Sequence, residues 1–79
     1  MREISYKGKR VESIHAGELR FYSKSSWKDA DVFGYLTKDI GFNEILDKVQ
    51  VGSGEQFKVR NAKGEIYYVT ASPVYVQVV

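Results

Sequence analysis

Seven side chains in this sequence could together form a surface for a flat, anionic ligand: Arg20, Tyr22, Lys24, Lys58, Arg60, Tyr67 and Tyr75. Aromatic rings stack on nucleic-acid bases for roughly 1–3 kcal/mol each, while cations follow the phosphates. The stretch ELRFYSKSSWK, residues 18–28, is the densest mixture of the two. Half-exposed antiparallel sheets favour the same residue types for another reason, because Tyr, Lys and Arg pack their apolar stems and keep their polar ends wet. Glu3, Glu12, Glu18 and Glu65 fall on or near that face and oppose a phosphate track. Nucleic acid is therefore the second reading of these residues.

Two further charged groups stand out. YKGKR at 6–10 gathers Lys7, Lys9 and Arg10 around a glycine turn, a tip able to reach a phosphate or an acidic partner. Asp29, Asp31, Asp39, Glu44 and Asp47 make an acidic middle that could meet a basic groove on another protein. Residues 1–28 hold seven Lys or Arg against three Glu, and residues 29–50 hold two Lys against five Asp or Glu. That uneven balance steers partners more than it shapes a fold.

The inventory for covalent or metal chemistry is short. Cysteine is absent and His15 is the one histidine, so thiolate nucleophiles, disulfides and the usual transition-metal sets drop out. GSG at 52–54 joins two elements in the wrong order for a phosphate loop, which runs from strand into helix. It reads as a hinge or turn. No catalytic, cofactor-binding or metal-ligating residue is assigned, and no cofactor is expected.

The elements that must position these groups follow from periodicity. In FNEILDKV, Phe42, Ile45, Leu46 and Val49 fall at i, i+3, i+4 and i+7, which predicts a helix. Ser26-Trp27-Lys28-Asp29 resembles a capping box, and predicts an earlier helix burying Trp27, Ala30, Phe33 and Leu36. ELRFYSK alternates as a strand, with Leu19 and Phe21 one way and Arg20, Tyr22 and Lys24 the other. EQFKVR-NAKG-EIYYVTA reads as a hairpin with Arg60 opposite Glu65, so that Val59, Ile66, Phe57 and Tyr68 share one face. Tyr67 joins Lys58 and Arg60 on the other. The opening segment predicts a further hairpin around Lys7-Gly8, with Ile4, Tyr6 and Val11 in the core. VYVQVV closes the chain as a sticky strand that either lies in the sheet centre or has its edge covered by another chain.

The fold expectation is one α+β domain over residues 1–79. Its antiparallel sheet has about five to six strands, with one or two central helices packed on one face, in the order β-β-β-α-α-β-β-β. No apolar run approaches the roughly 20 residues of a membrane span, and the charged amino terminus does not read as a secretory signal. The functional expectation is a small non-enzymatic interaction module of the cytoplasm, a regulator or inhibitor of the kind phages and mobile elements encode. Its partner would be another protein, or a second copy bound through Val74 to Val79. A nucleic-acid-binding sheet module is the alternative.

Overall fold

The computed structural model describes residues 7–79, and its regular elements are β-strands apart from one 3-10 turn. Eight strands run in chain order: β1 Val11–Ser13, β2 Leu19–Tyr22, β3 Val32–Leu36, β4 Gly41–Phe42, β5 Glu44–Val51, β6 Gly54–Arg60, β7 Ile66–Thr70 and β8 Val76–Val78. The larger sheet has the order β3-β2-β7-β6-β5 and the smaller the order β4-β1-β8, with antiparallel pairing throughout. One apolar cluster draws on both sheets: Val11, Leu19, Leu36, Phe42, Ile45, Phe57, Val59, Tyr67, Val69 and Val76. Ile45, Val59 and Val69 are fully buried, each contributing about 1.5–3 kcal/mol. Ile4 and Tyr6 lie outside the described residues; Val11 is in the core as expected.

No α-helix occurs among the described residues, and both expected helices are strands. In 42–49 the helical spacing arises from a β-bulge. Ile45 pairs with Val59 and Asp47 with Lys58, leaving Leu46 as an extra residue. An extra residue reverses the alternation of faces beyond it. Ile45 therefore points into the core beside Val59, whereas Val49 pairs with Gln56 on the opposite face. Four residues apart, the two side chains do not share a face.

In 26–36 the expected helix shrinks to a single 3-10 turn, Asp29–Asp31, followed by β3. The sequence VFGYL is β-branched and aromatic, and these types pack well on a pleated surface. Ser26 does not cap Asp29; its hydroxyl donates to the Asp31 carboxylate at 2.6 Å. Gly34 pairs with Phe21, and a methyl group there would sit 2.9 Å from Cζ of the Phe21 ring. The glycine that would weaken a helix is the one that lets this ring lie over the strand.

Glycine also sets the β6–β7 register. Gly64 takes a φ of 86°, and the Asn61 side chain accepts hydrogen bonds from the amides of Lys63 and Glu65. The turn thus uses five residues, and Arg60 pairs with Ile66 rather than Glu65. That shift by one carries Tyr67 and Val69 into the core and leaves Ile66 and Tyr68 on the other face. Gly52, with φ 61°, turns the β5–β6 hairpin, in which Val51 pairs with Gly54. The closing strand, β8, pairs only with β1 among the described strands, so it lies at the end of its sheet.

Candidate functional site

Of the seven residues read as one basic and aromatic platform, the fold brings few together. Tyr67 lies in the core cluster, on the face opposite Lys58 and Arg60. Tyr75 belongs to the turn before β8, where its ring meets His15 edge to face at 5.3 Å. Arg60 hydrogen-bonds Glu44 through Nε and Nη2. Arg20 donates to Asp29 at 2.6 Å, and that carboxylate holds the guanidinium pKa above its ordinary value. Lys24 is exposed in the loop after β2, and half-buried Lys58 pairs in register with Tyr68 and Asp47. Tyr22 does share a face with Tyr68 and Lys58, but only 6% of it is exposed.

The cover over Tyr22 is the segment 23–31, which crosses the outer face of the larger sheet as a strap. Trp27 meets the Tyr22 ring at 5.9 Å with an interplanar angle of 88°. Its indole N–H donates to the Val51 carbonyl at 2.8 Å, and its ring covers Gly54. The Gln56 amide donates to the Ser26 carbonyl at 2.7 Å, and its side chain is fully buried. The face expected to be open is closed here by a small aromatic and polar cluster.

The other charged groups are dispersed. Lys7 and Lys9 are exposed at the first turn, and Arg10 bonds Glu12 and Asn43. Asp31 accepts from Ser26, Asp39 sits in a turn with φ 73°, Glu44 accepts from Arg60, and Asp47 accepts from the Lys48 amide. The acidic residues therefore serve local bonds and do not line a helix face. Among the described residues, no group of three or more His, Asp or Glu side chains is placed to hold a metal ion.

The surface that remains includes Phe33, which the expected helix would have buried. Phe33 is 61% exposed and Tyr35 is 55% exposed, both on β3, the end strand of the larger sheet among the described residues. Phe33 is the extra residue of a bulge, since Phe21 pairs with Gly34 and Tyr22 with Val32. Behind it stand Tyr67, at a ring distance of 4.7 Å, and Phe21 at 5.9 Å. Phe21 in turn meets Tyr67 and Phe42 edge to face at 5.1 and 5.2 Å. The exposed ring is thus the outer member of a stacked aromatic cluster, held in orientation by its neighbours. Burial raises the Tyr67 phenol pKa, and the nearby Glu65 carboxylate adds to the rise. The signal in the sequence was VFGYL itself: two aromatics flanking a glycine beside β-branched Val32 read better as an edge strand than as a helix.

Comparison with known proteins places this scaffold in a specific company. The chain is 58% identical over 60 residues, 76% of its length, to the N-acetylmuramoyl-L-alanine amidase BlyA of Bacillus subtilis (strain 168). The matched stretch spans 16% of that protein. No family model and no solved structure matches the chain. The likeness to part of an enzyme overturns the expectation of a free-standing, non-enzymatic regulator or inhibitor, and the nucleic-acid alternative with it. Its structural basis is also gone, because Tyr22, Tyr67 and Tyr75 lie in three different places.

Proposed function

We propose that this chain is part of a cell-wall amidase and that its contribution is to hold the enzyme on its polymeric substrate. The observation that carries the reading is the 58% identity to a stretch making up 16% of the Bacillus amidase. The bond cut by an N-acetylmuramoyl-L-alanine amidase joins a wall sugar to a peptide, so the substrate of such an enzyme is an insoluble network of glycan strands and short peptides. An enzyme that cuts such a network benefits from a second point of attachment. Tethering turns each new encounter into an intramolecular one, at effective concentrations up to the millimolar range. A small β scaffold with rigidly backed, exposed aromatic rings suits that task, since ligand contacts made by pre-oriented rings cost little ordering entropy. On this reading the chain works in the wall, and the cytoplasmic expectation gives way to a location outside the cell membrane.

Sedimentation with purified Gram-positive sacculi tests this directly. The chain is expected to leave the supernatant with the wall at physiological salt. Full recovery in the supernatant would sink the reading. In an amidase that carries this stretch, deleting it should slow release from intact walls while leaving hydrolysis of a soluble muramoyl-peptide unchanged.

A further inference from the structure

The β3 edge has a more specific consequence, which rests on the wall-attachment reading. We infer that the Phe33 ring is the contact for the glycan backbone of the wall, with the uncharged face of a pyranose ring as occupant. One face of such a sugar presents a set of C–H groups, which carry partial positive charge, and an aromatic face carries the negative lobe of its quadrupole. The ring must be exposed and fixed in orientation, and Phe33 meets both conditions. Its exposure is 61%, and its orientation is set by Tyr67 and Phe21 behind it. The bulge at this position is the kind of irregularity that re-aims a side chain beside a binding site.

Charge decides which wall component fits. Arg20, which pairs with Tyr35 on the other face of the β2–β3 ladder, is engaged by Asp29. The Tyr67 hydroxyl bonds Glu65, whose carboxylate also accepts from Asn61. The balance around the aromatic rings is neutral to negative. An anionic wall polymer or a free peptide carboxylate is repelled there, whereas a neutral sugar face is not. Beyond the rings, β3 has no partner on its outer side among the described strands. Its outward main-chain N–H and C=O groups can bond sugar hydroxyl and acetamido groups, which fixes the direction of the strand on the surface.

The test uses a soluble N-acetylglucosamine oligomer as the probe, followed by amide NMR shifts, beside sedimentation with sacculi. The oligomer should move the amide signals of Phe33, Gly34, Tyr35 and Tyr67. Replacing Phe33→Ala should weaken both kinds of binding by about two- to tenfold, while Tyr35→Ala, at a residue that pairs with Arg20 on the other face of β3, should leave both unchanged. Should Phe33→Ala fold poorly, Phe33→Leu, which keeps apolar bulk and removes the ring face, is expected to lose binding by about twofold or more with its melting temperature unchanged. A folded Phe33→Ala variant that still sediments and binds the oligomer like the parent overturns the inference and leaves wall attachment standing. So does binding to peptide stems in place of the oligomer, or self-association through β3 that the substitutions abolish. Failure of the parent chain to sediment sinks the wall reading instead. The oligomer titration, which needs no wall, then decides the aromatic edge by itself.

Discussion

Tyr22 and Trp27 meet edge to face beneath a strap whose polar atoms are tied to the sheet, while Phe33 and Tyr35, at the end of the same sheet, stand open. Both clusters are aromatic, and both grow from the β2–β3 part of the chain. What separates them is the availability of a polar handle. Trp27 has an indole N–H that finds the Val51 carbonyl on the far strand, so the ring can be drawn across the sheet and closed down. Phe33 has no donor and is held only by ring contacts, at the edge where the sheet stops supplying neighbours. Rings in the first setting stabilise the fold. Rings in the second are oriented by the fold and remain available to something else.

Substitutions can break this comparison, beginning at the closed cluster. Trp27→Ala removes the bond to Val51 and uncovers Tyr22 and Gln56. With 39% of the residue already exposed, the loss is expected at about 2–3 kcal/mol, below the range for a fully buried Trp, and urea unfolding measures it. An unchanged midpoint would show that the strap contributes nothing. Gly34→Ala tests the open cluster from inside by pushing against the Phe21 ring, and about 1–3 kcal/mol is expected on the same assay. Gln56→Met sharpens the contrast further. The Gln56 Oε1 atom is buried without a partner, so removing the amide relieves that cost while stripping the Ser26 carbonyl of its donor. The two offset, and a net change within about 1 kcal/mol is expected.

The smallest effect is one of pH. Tyr67 has a folded-state pKa raised first by burial and then by Glu65, so the neutral phenol is the form the fold prefers. That contribution is complete below the unfolded pKa of about 10 and is lost as pH rises through the higher folded value. Alkaline unfolding should therefore be shallower in Tyr67→Phe than in the parent, with no difference between them at neutral pH. Equal alkaline slopes would show that Tyr67 titrates as it does in the unfolded chain.

Much of the strand content was legible where alternation is uninterrupted. Leu19 and Phe21 do turn to the core and Arg20 to solvent; Phe57 and Val59 are buried on β6. Glycine turns at Gly8, Gly52 and Gly64 also fall where their backbone freedom is used. Elsewhere the local pattern misled for a definite reason. One extra residue at Leu46 turns a two-residue period into the i, i+3, i+4, i+7 spacing of a helix. One extra residue in the Asn61–Glu65 turn reverses the faces of β7 and moves Tyr67 from surface to core. The expected platform lost Tyr67 to that shift, whereas Tyr22 is covered by the Trp27 strap and Tyr75 lies in the turn before β8.

By itself, then, the sequence determined the inventory of chemistry, the places where the chain can reverse, and the core-facing positions Leu19, Phe21, Phe57 and Val59 of β2 and β6. It left strand against helix undecided at 32–36 and 42–49, because a bulged strand and an amphipathic helix can share one local spacing. Tertiary structure decided that, together with which aromatic rings are covered and which are not. Whether a ring is buried depends on where a sheet ends and where a strap crosses it. Those are relations between segments far apart in the chain: Trp27 with Val51, Phe33 with Tyr67.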